Sequence, residues 1–411
     1  MRIWAFPSFY PADTPGQRWL GIFAHRQYKG LIENGATLHV IIPVPDKVRF
    51  PFSVLRKKTK KVAVTLPLHR KYDGVDVYHP RVDNTLPYAL DKRTYEQKFF
   101  DCLQDFFKKE NIVLDPHNDI FFSQWLPNSC LVQYAAHKFG LKSAILSIGD
   151  DVVVWPHNSQ DNKQAMMKLM DEADIRFACA DYLGKEINKI LDKNYSYSVI
   201  NWGVDYDSFK PATPEDKVAL REKYGLPQDK LLILNVGSAI IRKGWLDLFD
   251  ALQAVRSKVD NFAIVGVHAG QIKIDLDKEA AARGLGDIFT NMAEVPPSQV
   301  NELFKAVDLF CLPSHWEGLA NANIEAMSSG LPVITTDVCG HPELINDGEN
   351  GMLVPPKRSD ILAEKLFTLL TNKELRQAIS ESGRNFIVNK WGNFADNAVP
   401  LYGEMQKAIQ K

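Results

Sequence analysis

The chain has 411 residues, 45% of them hydrophobic and 24% charged, with a formal net charge of −1. That length predicts two domains, and that composition excludes a disordered chain. The near-neutral balance excludes a nucleic-acid binder that works by bulk electrostatics.

The five cysteines, Cys102, Cys130, Cys179, Cys311 and Cys339, are scattered and form no C-x-x-C pair. They predict buried thiols in a reducing compartment rather than disulfides or a zinc site. No apolar run approaches the roughly 20 residues of a spanning helix, and the N-terminus lacks the apolar stretch of a signal peptide. A cytoplasmic location is expected, with any membrane contact made at the inner face.

Arg2 to Phe6 predicts a short strand, followed by a Pro- and Gly-bearing loop, a helix over Ile22 to Asn34 closed by Gly35, and a strand over Leu38 to Val44. Strand, long loop, helix, strand is the opening of a doubly wound α/β sheet. The loop has no G-x-G-x-x-G, which disfavours a dinucleotide site. Gly16 and Gly21 are expected to line a cleft or to shape the turn. Lys47 to Lys61 carries seven basic residues and no acid, interleaved with Phe50, Phe52, Val54 and Leu55. Such a stretch suits an anionic membrane surface or a phosphorylated lipid, and equally a solvated loop.

Thr94 to Glu110 repeats apolar residues at helical spacing (Tyr95, Phe99, Phe100, Leu103, Phe106, Phe107), which predicts a core-facing helix. A strand over Ser143 to Ile148 ends in Gly149-Asp150-Asp151, where Asp151 is either a cleft carboxylate or a helix cap. Tyr197 to Ile200 is a further strand, followed by a Gly- and Pro-bearing run, Asn201 to Pro211, that reads as a hinge.

In the second half, Leu231 to Val236 is a continuous apolar run, as in a parallel strand buried on both faces. It feeds Gly237 to Gly244 and then a helix from Trp245. Arg242 and Lys243 place positive charge at a strand-to-helix turn, where it can meet a diphosphate or simply be solvated. Leu309 to Leu312 feeds the most informative stretch. Glu317 lies in a loop, and Glu325 about two turns into a helix if that helix starts near Leu319. Between them are small and polar residues, Gly318, Ala320, Asn321, Ala322 and Asn323. Small residues admit a ligand close to the backbone, and a first helical turn offers unpaired amides to phosphate. A carboxylate further in can accept from a ribose diol, and one in the loop from a second polyol.

This stretch resembles the donor-site signature of the retaining GT-B glycosyltransferases of family four (glycosyl transferases group one). It carries Pro313-Ser314, Glu317-Gly318, Glu325-Ala326-Met327, Gly330, Pro332-Val333-Ile334, Gly340 and Glu343 in the order of that pattern. The run Asn201 to Pro211 is similar to the family's N-G-V-D-x-x-x-F-x-P linker, with Trp202 inserted. Gly237 to Gly244 is similar to G-R-L-x-x-x-K-G, with Lys243 on the lysine but Ser238 where the arginine stands. Gly21, Phe23 and Gln27 resemble the family's G-x-F-x-x-x-Q opening. Ile148 occupies the position of a family histidine that reaches the donor sugar, and Asp151 that of its aspartate. Met292 to Pro297 resembles the loop that stacks on the nucleotide base.

The resemblance implies two Rossmann-like domains facing a cleft. Residues 1–205 would form the acceptor side and 206–390 the nucleotide-sugar side, with a helix over 391–411 packing back on the first. It implies a retaining hexosyltransferase that uses a UDP- or GDP-sugar, with no cofactor and no metal, and a glycan, glycolipid or protein acceptor. Glu325 would hold the ribose, Glu317 the donor sugar, and Lys243, with or without Arg242, the diphosphate. Gly237, Ser238, Gly318, Leu319, Ala320, Asn321 and Gly340 would line the donor. A nucleotide-sugar epimerase and a non-catalytic nucleotide-sugar-binding protein are the alternatives; an NAD-dependent oxidoreductase lacks its glycine fingerprint.

Overall fold

A computed structural model describes residues 1–11, 21–46, 66–83, 91–268, 270–293 and 295–410. Gly16 and the basic stretch Lys47 to Lys61 lie outside the described residues.

Two sheets dominate. The first has eight strands, in the order Ser198–Val199, Ile175–Ala178, Lys142–Ser147, Asp119–Gln124, Arg2–Phe6, Thr37–Ile41, Val75–Tyr78 and His69–Tyr72. All pair in parallel except the edge strand His69–Tyr72, which is antiparallel to Val75–Tyr78. The second has six parallel strands, in the order Phe289–Ala293, Phe262–His268, Leu231–Val236, Leu309–Leu312, Val333–Thr336 and Met352–Val354. Numbered along the chain within that sheet, the order is 3-2-1-4-5-6, the doubly wound arrangement.

The local reasons are visible in the residues. Leu232, Ile233 and Leu234 are wholly buried because helices cover both faces of the sheet. The helix Tyr95–Lys109 starts at a capping box, in which Thr94 accepts from the Gln97 amide while the Gln97 side chain accepts from the Thr94 amide. It lays Phe99, Leu103, Phe106 and Phe107 on Trp4, Phe6 and Phe121 of the first sheet. Tyr95, expected on that face, is exposed instead, since it opens the helix beyond the edge of the core.

The chain then crosses back. A π-helical turn, Ile387–Trp391, precedes the helix Phe394–Ile409, which packs on the helix Ile22–Glu33 of the first sheet. A Cβ on Gly30 would stand 2.4 Å from the Phe394 carbonyl oxygen, so the glycine permits this approach. Trp391 Nε1 donates to the Trp202 carbonyl at 2.7 Å, and Asn34 Nδ2 to that of Ala395 at 2.8 Å. Among the described residues no helix is long and apolar enough to cross a membrane.

Candidate functional site

The strand order of the second sheet reverses between Leu231–Val236 and Leu309–Leu312, and loops leaving the carboxyl ends of these strands form the site. The first loop makes a 3-10 turn, Ile241–Lys243, and enters the helix Trp245–Arg256 through Gly244. Gly244 has φ 69°, and a Cβ there would lie 1.9 Å from the Pro313 carbonyl oxygen. Only a glycine lets the two loops touch in this way. The His315 amide donates to the Arg242 carbonyl at 2.7 Å, which ties the two loops together, and Trp245 Nε1 donates to the Ser238 carbonyl at 3.0 Å, which braces the first loop internally.

Lys243 Nζ thereby donates to Glu317 Oε1. Ser314 Oγ donates to the same oxygen at 2.9 Å. Arg242 Nη1 lies 3.4 Å from Glu317 Oε2, and its Nη2 lies 3.6 Å from Asp150 Oδ2 of the first sheet's loops. Burial acts to raise the pKa of Glu317, but Lys243 and Arg242 outweigh it and hold the carboxyl below the usual range.

Glu325 stands just over one turn into the helix Asn321–Ser328, not two, because the helix begins at Asn321 rather than near Leu319. Leu319 and Ala320 belong to the buried entry to that helix. Its N-cap, Ala320, makes no side-chain cap, so the first-turn amides are left to other partners. Arg26 Nη1, from the helix Ile22–Glu33, donates to Glu325 Oε1 at 2.8 Å. Burial pushes the Glu325 carboxyl up, and Arg26 offsets only part of that.

Lys243, Arg26 and Glu325 line a cavity of about 420 Å³, while Glu317 and Arg242 stand behind Lys243 and are not among its lining residues. Gly237, Ser238, Lys243 and Glu325 line one side and Ile22, Phe23 and Arg26 the other. Val295 and Pro297, in the loop compared above with a base-stacking segment, add apolar surface. Gly318 lies outside this lining: a Cβ on it would meet the Ile148 carbonyl oxygen at 2.1 Å, so backbone packs on backbone between the two halves. The Gly340 amide donates to the Gly318 carbonyl at 3.1 Å. Chemically, this is a cavity lined by two cations, Lys243 and Arg26, and one carboxylate, Glu325, able to take a phosphorylated polyol.

Of the expected donor residues, Arg242, Glu317, Gly318, Leu319, Ala320, Asn321 and Gly340 are not among the cavity's lining residues, and the two described residues expected on the acceptor side are placed elsewhere. Asp151 does not line the cleft. It is wholly buried, and its carboxylate accepts from the amides of Leu126 (3.1 Å), Ile148 (3.1 Å) and Gly149 (2.6 Å). Burial raises its pKa to about 6. Gly21 is not among the cavity's lining residues; it has φ 76°, and a Cβ there would lie 2.2 Å from the Phe9 carbonyl oxygen, so it shapes the turn into its helix.

Two Asp-x-Asp triplets occur, and both serve local structure. Asp205, of Asp205-Tyr206-Asp207, accepts from the amide and hydroxyl of Ser208 at 3.0 and 2.5 Å. Asp275, of Asp275-Leu276-Asp277, caps the helix Leu276–Ala282, while Asp277 accepts from Asn291 at 2.9 Å.

Nothing in the sequence marks Arg26, which pairs with a carboxylate 299 positions away, beyond its place between Gly21 and Gln27. Asp150 and Glu343 stand in the motifs named above without a role: Asp150 reaches Arg242, and Glu343 accepts the amides of Asp181 and Tyr182.

Residues 216–386 match the family Glycosyl transferases group 1. The chain is 28% identical over 371 residues to TuaC of Bacillus subtilis, a protein named for teichuronic acid biosynthesis, covering 89% of this chain and 88% of that one. It is 32% identical over 204 residues to the alpha-D-kanosaminyltransferase of Streptomyces kanamyceticus, covering 48% and 52%. Among solved structures, Anabaena HepE in complex with UDP and glucose superposes with a TM-score of 0.75 at 16% identity, over 99% of this chain and 100% of that one. A glycosyltransferase of Rickettsia africae superposes with a TM-score of 0.73 at 19% identity, over 100% and 98%. The chain has the GT-B fold, and its second half, residues 216–386, matches the glycosyl transferases of group 1.

Proposed function

We propose that this glycosyltransferase moves a sugar from a UDP- or GDP-sugar to an acceptor hydroxyl with retention, in polysaccharide or glycoconjugate biosynthesis. The cavity lined by both Lys243 and Glu325, with Glu317 and Arg242 joined to it through the Lys243–Glu317 pair, carries the reading. Glu325 holds the ribose diol and Glu317 the donor sugar. Lys243, with Arg242, meets the charge that grows on the departing diphosphate. Gly237, Ser238, Gly340 and the amides of Gly318 to Asn321 complete the donor surface.

The bond from the sugar's anomeric carbon to the phosphate oxygen breaks. The bond to the acceptor oxygen forms on the same face, and the acceptor proton passes to the departing phosphate. No divalent ion and no covalent sugar–enzyme intermediate enter this scheme. Residues 1–205 form the acceptor side and 206–390 the donor side, and the basic stretch Lys47 to Lys61 suits a lipid-linked or membrane-borne acceptor. The names of TuaC and of HepE's bound UDP are in keeping with this reading.

The test is incubation with UDP- and GDP-sugars, EDTA and a pool of glycan and lipid acceptors, followed by mass spectrometry and NMR of the product. A product that keeps the donor's anomeric configuration supports the reading. Efficient epimer formation from donor alone would favour an epimerase, and binding without nucleotide release a non-catalytic protein.

A further inference from the structure

We propose that Arg26 is a donor-positioning residue: reaching from the first domain, it holds the Glu325 carboxylate in the orientation that receives the ribose hydroxyls of a nucleoside diphosphate. The donor site is then complete only when the two domains are closed. This inference rests on the donor reading of Glu325 given above.

Arg26 is fixed from several directions. Its Nη1 donates to Glu325 Oε1 at 2.8 Å. Its guanidinium carbon lies 5.6 Å from the centre of the Phe209 ring and 5.9 Å from that of Phe394. Phe209 belongs to the linker between the sheets, and Phe394 opens the helix that crosses back. Arg26 therefore sits where the two connecting segments meet, stacked on aromatic faces and not free to swing. Its own helix is anchored one turn further on by Gly30 and Asn34 against Phe394 and Ala395.

The contact leaves Glu325 able to act. An ionised carboxylate offers about four lone-pair sites, and Arg26 occupies one. Side-chain exposure of 17% for Glu325 and 26% for Arg26 keeps the pair half-buried but open to the cavity that both line. Hydroxyls of a vicinal diol need an acceptor that is ionised and held still. The cation beside Glu325 holds it still and opposes in part a burial that favours the protonated form. Because the two residues lie on different domains, affinity for ribose and closure of the cleft become one coupled equilibrium.

The test is calorimetric titration of UDP and GDP, each beside its 2′-deoxy counterpart, into wild type, Arg26→Ala, Arg26→Lys, Arg26→Gln and Glu325→Ala. Wild type should prefer the ribonucleotide by about tenfold or more, the worth of one charge-assisted hydrogen bond. Arg26→Ala should reduce that preference to about threefold or less, and Arg26→Lys should restore most of it. Should Arg26→Ala fail to fold, Arg26→Gln supplies the same comparison. A merely structural role would weaken both nucleotides equally and leave the ratio intact. That result, or tighter ribonucleotide binding by the Arg26 variants, would overturn the inference. If Glu325→Ala keeps the full preference, or if wild type binds neither nucleotide or shows no preference, the donor reading itself fails and the inference with it.

Discussion

Glu343 of the second sheet's loops accepts the backbone amides of Asp181 and Tyr182 in the first half of the chain, at 2.8 Å each. A carboxylate thus plugs the N-terminus of the helix Asp181–Leu191, whose own N-cap, Ala180, provides no side-chain cap. Glu343→Ala leaves two amides uncapped and removes a tie across the cleft, at a cost of about 1–3 kcal/mol. A lower melting temperature is expected, with a larger radius of gyration in solution scattering and unchanged helical content by circular dichroism.

The pair Glu317–Lys243 makes stability depend on acid. Glu317 titrates below the ordinary glutamate value in the folded chain. Its ionised form therefore contributes stability in full above the ordinary value of about 4.3, and that contribution is lost as pH falls through the lower folded value. Denaturant unfolding of wild type and Glu317→Gln across pH 2.5 to 6 should show the wild type losing more stability than the variant on acidification.

Asp151 acts in the opposite sense. Its folded pKa, raised to about 6, lies above the unfolded value, so the folded chain binds the extra proton between them. This site favours folding below about pH 4, and its contribution falls as pH rises through 6, by roughly 1–3 kcal/mol. Melting temperatures measured from pH 4 to 7 should show a decline with rising pH from this site, which Asp151→Asn removes.

Gly318 is where the two halves touch backbone to backbone. A methyl group there would lie 2.1 Å from the Ile148 carbonyl oxygen, so Gly318→Ala must part the loops by about an ångström. Misplacement on that scale costs about 10²-fold in rate. Steady-state kinetics should show turnover falling by that order, with a lower melting temperature because the clash is with backbone.

Legibility in the sequence followed the range of the interactions. The parallel second sheet was readable because Leu231 to Val236 and Leu309 to Leu312 are short apolar runs bounded by turns. The loops bearing Lys243 and Glu317 were readable as strand-to-helix turns. The start of the Asn321–Ser328 helix was placed two residues early because Leu319 and Ala320 are good helix formers, yet Ala320 has extended backbone and Leu319 packs into the core. Asp151 was ambiguous because a strand-end aspartate can face either a ligand or its own backbone; three inward amides decide it. Arg26 and the capping role of Glu343 stayed hidden because their partners come from the other half of the chain, which no local period records.

The most direct measurement is a crystal structure with bound UDP or GDP. The account predicts the ribose hydroxyls on Glu325, the diphosphate between Lys243 and the first-turn amides of Asn321–Ser328, and the base against Val295 and Pro297. A nucleotide seated elsewhere, or one that leaves Glu325 and Lys243 without contact, would contradict it.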